Sequence, residues 1–427
     1  MTSELAPGLL PELRWRGMLQ DMTPGLAERL AAGSLTVYNG FDPTADSLHV
    51  GHLVPVFGLI HFQRHGNRPI AVVGGGTGMI GDPSGRPSER QLHDRETVAR
   101  NVAAIGRQLE HFLDCAPGPT GARLIDNYAW LGSWSLLEFL RDIGKHFTIP
   151  YMLAKDSVQI RLESGLSFTE FSYMLLQSAD FLHLYREMGV ELQTGGADQW
   201  GNITAGLELI RRLEGGDEGR ELAHALSYPL LLNPSGQKFG KSEGGRNVWL
   251  DPKRTSPFEF YQYWVDTADQ DVGGLLRQFT LFDRPSIERL EREHAARPDE
   301  RRAQRVLAWD ITARVHSAME ADRQAAVARA LFEGVGLDDA DTLAALYETV
   351  ESFEVPLSGA RTGLELAAAS GIIASNSEAR RLIGQGGLSI NGQRVADPAA
   401  PIPGPVGGRY YVVRAGKKKI RIGRIAQ

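Results

Sequence analysis

The sequence has little cysteine and no long apolar run. Its 427 residues include one cysteine, Cys115, which excludes a disulfide framework and fits a reducing compartment. No segment reaches the roughly 18 consecutive apolar residues that indicate a transmembrane helix. The N-terminal residues, which include Glu4, lack the pattern of a signal peptide. We therefore expect a cytoplasmic protein, and its length predicts two or three domains.

Acidic residues are scarce at one end of the chain. Residues 361–427 contain 11 Lys and Arg but only 3 Asp and Glu, which gives a net charge of +8. The rest of the chain carries −14, so the total of −6 hides a basic module on an acidic body. This asymmetry predicts a polyanionic partner for the C-terminal module. A basic face that is merely solvated is the alternative.

Residues 35–60 predict a strand, a turn and a helix, in that order. The first four are mainly β-branched or aromatic, and a glycine and an Asp-Pro-Thr sequence then break the strand. A helix is expected from about Leu48, with Asp46 or Ser47 as its N-cap. A strand that leads through a turn into a helix N-terminus is an arrangement that binds phosphate.

This turn carries the candidate phosphate ligands. His49 and His52 are expected on one face of the first helical turn, with Thr44 in the turn before them. Gly51 leaves room for a flat group to approach the backbone. The two histidines also fit half a metal site, although the single cysteine and the lack of a nearby third ligand argue against it.

Glycine-rich turns follow two later strands. Residues 74–86 come after the apolar strand 68–73, and residues 195–202 come after the strand 191–194. So many glycines at a strand end indicate that the backbone closely approaches a ligand or another segment. A dinucleotide-binding loop is the alternative for the first turn, which lacks a clean G-x-G-x-x-G sequence entering a helix.

Residues 168–185 predict one helix with a polar stripe. Tyr173, Gln177 and Asp180 fall at helical spacing between apolar neighbours. A carboxylate buried there without a partner costs several kcal/mol. The sequence leaves open whether a ligand or a structural arginine satisfies Asp180.

Residues 233–245 predict a basic loop. The segment has two lysines, Lys238 and Lys241, four glycines and little that can pack. Such a loop is expected to be mobile and can close its lysines on a polyphosphate. An ordinary surface loop is the alternative.

Alternating strands and helices over residues 35–230 predict an α/β fold with a Rossmann-like, doubly wound parallel sheet. In such a sheet the ligand lies at the carboxyl ends of the strands. A helical region and a linker follow, and a small α+β module with a final hairpin ends the chain. The expected domains are residues 1–252 with a helical insertion at about 130–190, a helical domain at 253–350, a linker at 351–360 and the basic module at 361–427.

Together these motifs resemble a known family. His-Val-Gly-His at 49–52 is similar to the HIGH signature of class I aminoacyl-tRNA synthetases, and Lys-Phe-Gly-Lys-Ser at 238–242 is similar to their KMSKS signature. With Gly-Asp-Pro-Ser-Gly at 81–85 and Gly-Ala-Asp-Gln-Trp-Gly-Asn at 196–202, essentially the whole chain resembles the bacterial tyrosyl-tRNA synthetases. The C-terminal module resembles the RNA-binding domain of the S-four type that these enzymes carry.

The resemblance implies a ligase reaction in two steps. The carboxylate of L-tyrosine attacks the α-phosphate of ATP and releases pyrophosphate, and the tyrosyl group then passes to the 3′-terminal adenosine of tRNA(Tyr). ATP is expected as a substrate with Mg²⁺, without a tightly bound cofactor. A homodimer without a membrane partner is also implied. Neither step needs a side-chain nucleophile, since positioning and charge stabilisation dominate such transfers.

The resemblance also implies roles for single residues. Tyr38 and Asp180 hydrogen-bond the phenol of the substrate. The catalytic group comprises Thr44, His49, His52, Lys238, Lys241 and Ser242. The tyrosine-binding group comprises Tyr38, Asp82, Tyr173, Gln177, Asp180 and Gln193. The ATP and adenylate group comprises Gly40, Asp42, His49, His52, Gly196, Asp198, Gln199 and Lys241. The tRNA-binding group comprises Arg86, Arg90, Arg380, Arg381, Lys417, Lys418 and Lys419.

Three other functions stay open at this stage. A tryptophanyl enzyme shares the fold and the signatures, but indole offers no hydroxyl to Tyr38 and Asp180. A non-catalytic RNA-binding protein has no need of intact histidines and lysines in both signatures. A small-molecule adenylyl-transfer enzyme has no need of the basic module. The sequence also leaves open how Asn39 and Pro55 affect the binding of ATP.

Overall fold

The chain divides into two compact units. A computed structural model describes residues 8–84, 92–162, 165–215, 221–231, 246–356, 361–416 and 419–426. The first unit comprises Met1–Thr255 and Thr267–Ala303, and the second comprises Ser256–Asp266 and Gln304–Gln427.

Among the described residues, no helix is both long enough and apolar enough to cross a bilayer.

A six-stranded sheet forms the centre of the first unit, in the order β1-β6-β5-β2-β3-β4. Its strands are β1 (Asp21–Met22), β2 (Thr36–Phe41), β3 (Arg68–Val73), β4 (Arg123–Asp126), β5 (Val190–Gly196) and β6 (His224–Tyr228). Strands β2 to β6 pair in parallel, which confirms the predicted α/β sheet. The edge strand β1 is antiparallel to β6 and lies before residues 35–230, over which the sequence predicts alternating strands and helices. Two residues are too few to show an alternating pattern.

Helices flank this sheet. They are α1 (Leu9–Trp15), α2 (Leu26–Ala31), α3 (Leu53–Arg64), α4 (Arg95–Phe112), α5 (Tyr128–Leu131), α6 (Leu136–Asp142), α7 (Ile149–Leu153), α8 (Asp156–Leu162), α9 (Phe168–Met188) and α10 (Trp200–Glu214). Further along the chain, α12 (Val272–Phe279) and α13 (Arg284–Ala296) belong to the same unit, whereas α11 (Pro257–Val265) belongs to the second unit. Short 3₁₀ turns occupy Val50–His52, Thr77–Met79, Gly144–His146, Ala197–Gln199 and Pro298–Glu300.

Strand β2 lies at the point where the strand order reverses, between β3 and β5. Ligands of doubly wound sheets bind outside the carboxyl ends of the strands at this point. Tyr38 pairs with Gln193 and Asn39 pairs with Thr194, so each pair points to one face of the sheet. Helix α9 covers the face with Tyr38, whose ring lies 5.4 Å from that of Phe181. Helix α3 covers the other face.

Helices α12 and α13 belong to the first unit, although they fall within the predicted helical domain 253–350. The buried Arg16, which follows α1, pairs with Glu12 at 2.6 Å. Its guanidinium also donates hydrogen bonds of 2.6, 2.8 and 2.7 Å to the carbonyl oxygens of Arg277, Thr280 and Phe282. These bonds satisfy carbonyl groups at the end of α12 and tie this helix to the N-terminal segment.

The second unit combines helices with a five-stranded sheet in the order β7-β11-β10-β8-β9. It contains α11, most of α14 (Arg302–Val315), α15 (Ala318–Phe332), α16 (Ala340–Thr349), α17 (Gly363–Ala369), α18 (Asn376–Gly384), β7 (Ser352–Val355), β8 (Leu388–Ile390), β9 (Gln393–Arg394), β10 (Tyr410–Ala415) and β11 (Lys419–Ile425). The predicted final hairpin is confirmed as β10 and β11. Strand β7 lies in the predicted linker and pairs in parallel with β11, a long-range pairing that no local pattern indicates.

Candidate active site

A cavity of about 670 Å³ opens at the carboxyl ends of β2 and β5. It brings together every described residue of the predicted catalytic, tyrosine and ATP groups. These residues are Tyr38, Gly40, Asp42, Thr44, His49, His52, Asp82, Tyr173, Gln177, Asp180, Gln193, Gly196, Asp198 and Gln199. Other predicted site residues lie outside the described part of the chain, namely Arg86, Arg90, Lys238, Lys241, Ser242, Lys417 and Lys418.

Asp180 is held at the floor of the cavity by two neutral donors. Its carboxyl oxygens accept hydrogen bonds of 2.8 Å from Nδ2 of Asn127 and 2.7 Å from Nε1 of Trp130. Burial raises the pKa of Asp180 from 3.8 to about 8, against the effect of these two hydrogen bonds. Neither donor is the structural arginine that the sequence left open.

Three buried polar atoms on the α9 side of the cavity have no hydrogen-bond partner among the described residues. They are the hydroxyl of Tyr38 and the side-chain oxygens Oε1 of Gln177 and Gln193. Burial, and then the charge of Asp180, raise the pKa of the Tyr38 hydroxyl, which stays neutral. Because leaving such an atom unsatisfied costs about 1–3 kcal/mol, this side is suited to a ligand with polar groups of its own.

A hydrogen-bonded chain connects the predicted tyrosine and nucleotide residues. Tyr173 and Thr77 each donate to Asp42 at 2.8 Å. Asn127 donates to the Thr77 hydroxyl at 3.1 Å and, through its other N–H, to Asp180. No role is predicted from the sequence for Thr77, Asn127 or Trp130. Asn127 directly follows the end of strand β4, and other cavity residues likewise follow the ends of strands, so this position is a signal that could have identified it. Trp130 has no comparable sequence signal.

Asp82 forms a second polar contact group at the cavity wall. Its carboxylate accepts from the backbone N–H of Ser84 at 3.0 Å and from Nε2 of Gln199 at 2.6 Å. Gln199 was predicted near the adenylate, so this bond places it beside a residue predicted to bind the ammonium group of tyrosine. A buried carboxylate in this position can accept a further bond from a cation.

The two histidines meet, but not on a helix face as the sequence predicts. His49 has an extended backbone and caps the 3₁₀ turn, while His52 ends that turn. Nδ1 of His49 accepts from the N–H of Gly51 at 3.0 Å, and Nδ1 of His52 accepts from the N–H of His49 at 3.1 Å. The ring centroids lie 3.9 Å apart. Because each Nδ1 is an acceptor, the neutral rings carry their proton on Nε2.

The expected caps of this helix have other roles. The Ser47 hydroxyl donates to the Leu48 carbonyl oxygen at 2.7 Å, and Asp46 forms an ion pair with Arg254. The imidazoles act as the caps instead, because they accept hydrogen bonds from the free N–H groups at the start of the turn.

The first glycine-rich turn lies against another segment, one of the two explanations that the sequence offered. A Cβ atom at Gly74 would lie 2.3 Å from Oδ1 of Asp42, and one at Gly75 would lie 2.1 Å from Oδ1 of Asp126. The backbone N–H of Gly75 donates to that same oxygen of Asp126 at 3.1 Å. Only glycine permits this approach, which holds the turn beside the cavity network.

The described residues of the predicted tRNA group lie in the second unit. Arg380, Arg381 and Lys419 are exposed. Other cations of the basic module are paired within the unit. Arg421 forms an ion pair with Glu351, and Arg424 lies 3.5 Å from Glu354. The module therefore divides its cations between internal pairs and an exposed set.

The described part of the chain contains no group of three or more His, Cys, Asp or Glu side chains placed to hold a metal ion.

Two family models match the sequence. Residues 30–333 match the family described as tRNA synthetases class I (W and Y), and residues 343–422 match the tyrosine--tRNA ligase SYY-like C-terminal domain. Curated relatives align over nearly the whole chain. A tyrosine--tRNA ligase of Roseiflexus castenholzii is 48% identical and covers 98% of this chain and 99% of the relative. One of Geobacillus stearothermophilus is 48% identical and covers 98% and 100%.

Solved structures share the fold. A C-terminally truncated mitochondrial tyrosyl-tRNA synthetase of Aspergillus nidulans superposes with a TM-score of 0.68 at 30% identity, covering 77% of this chain and 95% of that one. A tryptophanyl-tRNA synthetase of Encephalitozoon cuniculi reaches 0.54 at 14% identity, covering 73% and 86%. The second likeness shows the fold alone.

Proposed function

We propose that this chain, which belongs to the tyrosine--tRNA ligase family of class I tRNA synthetases, activates L-tyrosine with ATP in the cavity and then transfers the tyrosyl group to tRNA(Tyr). One observation supports tyrosine above other amino acids. A buried carboxyl, Asp180, and a buried hydroxyl without a partner, Tyr38, stand together on the α9 side. A phenol hydroxyl satisfies both groups, whereas phenylalanine or tryptophan leaves at least one of them unpaired.

The substrate amino acid lies on the α9 side in this proposal. Asp180 and Tyr38 bind its phenol, and Asp82, Tyr173 and Gln177 surround its ammonium group. The unpaired Oε1 of Gln177 is an acceptor that an ammonium N–H can fill. The tyrosine carboxylate then points toward the histidine turn, where it meets the α-phosphate of ATP.

ATP lies on the α3 side, next to the predicted phosphate residues. Nε2–H of His49 and of His52, together with the hydroxyl of Thr44, donates to its phosphates as negative charge develops on them. Lys238, Lys241 and Ser242 complete the catalytic group. Asp42, Asp198 and the backbone at Gly40 and Gly196 hold the adenylate. Mg²⁺ enters with ATP as part of the substrate.

The C-terminal module provides the tRNA-binding surface. The exposed positions of Arg380, Arg381 and Lys419 support this role, since exposed cations are available to phosphate groups. We assign residues 361–427 to this surface, residues 253–350 to the anticodon arm, and residues 1–252 to catalysis. Arg86 and Arg90 contact the acceptor end in this assignment.

A homodimer forms through the helical insertion. Large apolar side chains are exposed there at Leu136, Leu137, Leu140, Ile149, Ile160, Leu162 and Phe168. A second copy of the chain is the occupant we propose for this surface, because a shared patch on each subunit suits a two-fold interface. Leu137, which is 79% exposed, is the place to test it: a Leu137→Glu change should give a monomer in sedimentation velocity.

We propose that the protein acts in the cytoplasm, where its tRNA is charged.

Exchange of labelled pyrophosphate into ATP tests the first step. Each of the twenty amino acids is supplied separately to the full-length protein. Tyrosine alone should support rapid exchange, with phenylalanine and tryptophan slower by orders of magnitude. Exchange with tryptophan instead, or with no amino acid, would refute the proposal.

Transfer to tRNA is tested with matched charge variants. A double variant, Arg380→Gln with Arg381→Gln, should weaken tRNA(Tyr) binding and reduce its salt dependence while pyrophosphate exchange stays unchanged. The control is Arg421→Gln with Arg424→Gln, which alters two cations that are paired internally with Glu351 and Glu354. Equal losses in both double variants would show that the exposed pair has no special role.

A further inference from the structure

A short backbone ladder joins the histidine turn to the segment that follows the lysine loop. The N–H of Val50 donates to the carbonyl of Val248 at 2.9 Å, and the N–H of Leu250 donates to the carbonyl of Leu48 at 2.9 Å. These bonds flank His49 and Trp249, which stand directly opposite each other as an antiparallel bridge. Side chains approach most closely at such a position, where the opposed residues do not bond to each other themselves.

The ring of Trp249 contacts the ring of His49. Their centroids lie 5.8 Å apart with the planes at 69°, an edge-to-face arrangement that aromatic rings prefer. His52 contacts the same imidazole at 3.9 Å. His49 is therefore held by three groups: the indole, the second imidazole and the N–H of Gly51 at its Nδ1.

Trp249 is itself fixed from two directions. Its backbone N–H donates to the Thr255 hydroxyl at 2.9 Å. The guanidinium carbon of Arg254 lies 4.8 Å from the centre of the indole, and Arg254 forms an ion pair with Asp46. Asp46 lies three residues before His49 in the sequence. The contacts of Trp249 and Arg254 therefore both connect to the segment that contains His49. Trp249 is not among the described residues that line the cavity, whereas His49 is.

We propose that Trp249 is a positioning residue for His49. It holds the imidazole in the orientation in which Nε2–H points at the phosphates of ATP during the activation of tyrosine. The inference rests on the proposed function, because His49 must act on ATP for its orientation to matter. A donor that acts on developing charge must be placed accurately, and a shift of about 1 Å can cost up to about 100-fold in rate.

The test measures tyrosine-dependent pyrophosphate exchange in the full-length protein. Trp249→Ala should lower kcat about tenfold while KM for tyrosine changes less than about twofold. Trp249→Phe retains an aromatic edge and should recover most of the lost rate. Trp309, a tryptophan that is 37% exposed and donates to Asp322, provides the control: Trp309→Ala should leave kcat unchanged.

A double variant separates positioning from general packing. In a His49→Asn background, Trp249→Ala should cost less than about twofold, because the side chain it orients is gone. The same fold-loss in both backgrounds would overturn the inference, as would an unchanged kcat in Trp249→Ala.

Two outcomes remain to be distinguished. Should Trp249→Ala fail to fold, as judged by its melting curve, Arg254→Ala keeps the indole and removes the cation over it. This variant should lower kcat about two- to threefold, and no change would overturn the inference. A wild-type protein without tyrosine-dependent exchange would instead refute the proposed function, before any variant is compared.

Discussion

The two sides of the cavity satisfy their polar groups differently. On the α9 side, the Tyr38 hydroxyl and the Oε1 atoms of Gln177 and Gln193 are buried without a partner among the described residues. On the α3 side, Nδ1 of His49 and Nδ1 of His52 are each occupied by a backbone N–H. The unpaired atoms of the first side can discriminate between amino acids, because only a ligand with matching polar groups satisfies them. The histidine turn is fixed before any ligand arrives, so it can stabilise a transition state without reorganising.

The largest effect is expected on the α3 side. His49→Asn keeps an acceptor for the N–H of Gly51 but has no donor at the position of Nε2. We expect kcat for tyrosine activation to fall about 100-fold, as when one donor to a developing charge is lost. The measurement is pyrophosphate exchange at saturating tyrosine and ATP. If the variant melts well below the wild type, the loss comes from the weakened cap of the 3₁₀ turn and not from a missing donor to the phosphates.

The α9 side should show a smaller effect, and it should appear in selectivity. Asp180→Ala removes the carboxyl that a phenol satisfies, so the preference for tyrosine over phenylalanine should fall about 30-fold in kcat/KM for exchange. Some stability is lost as well, because Asn127 and Trp130 lose their acceptor. An unchanged preference in a folded variant would show that Asp180 does not read the phenol.

Tyr38→Phe separates binding from folding with effects of opposite sign. Without tyrosine its hydroxyl is buried and unpaired, so its removal should raise the melting temperature slightly. With tyrosine the hydroxyl gains a partner, so kcat/KM for tyrosine should fall about fivefold while the value for phenylalanine stays the same. Equal losses for both amino acids would mean that the hydroxyl serves packing only.

The last effect is of another kind, because it appears in stability as a function of pH and not in a rate. The folded pKa of Asp180, about 8, lies above its ordinary value of 3.8, so the folded state binds more protons between these values. The contribution of Asp180 to the free energy of unfolding therefore falls as pH rises from about 4 to about 8. Asp180→Asn cannot titrate and lacks this fall. Melting temperatures of both proteins from pH 5 to 8 should converge or cross, and parallel curves would contradict the raised pKa.

Much of the cavity could be predicted because the local pattern carries it. Strand ends followed by glycines and polar residues placed Tyr38, Asp82 and Asp198 at one edge of the sheet, and the structure brings them together there. A helix as long as α9 shows its period clearly, which fixed Gln177 and Asp180 on one stripe. The partners of these residues could not be predicted, because hydrogen bonds between segments fifty residues apart leave no local signal.

The histidine turn shows the same limit at short range. Sequence spacing placed His49 and His52 together, and it could not show that the imidazoles replace Asp46 or Ser47 as the caps. In the folded chain Asp46 instead pairs with Arg254, a residue 208 positions away. The contact of Trp249 with His49 likewise joins two segments that are 200 residues apart in the sequence.

The amino-acid sequence by itself determined the alternation of strands and helices over residues 35–230, the parallel sheet and many of the side chains at its carboxyl edge, because hydrophobic period and turn residues act locally. The tertiary structure alone decided which polar atoms are satisfied: Asn127 and Trp130 donate to Asp180, the imidazoles accept from backbone amides, and the Tyr38 hydroxyl has no partner among the described residues. Burial of a polar group is a property of everything packed around it, and packing is settled only when distant segments meet.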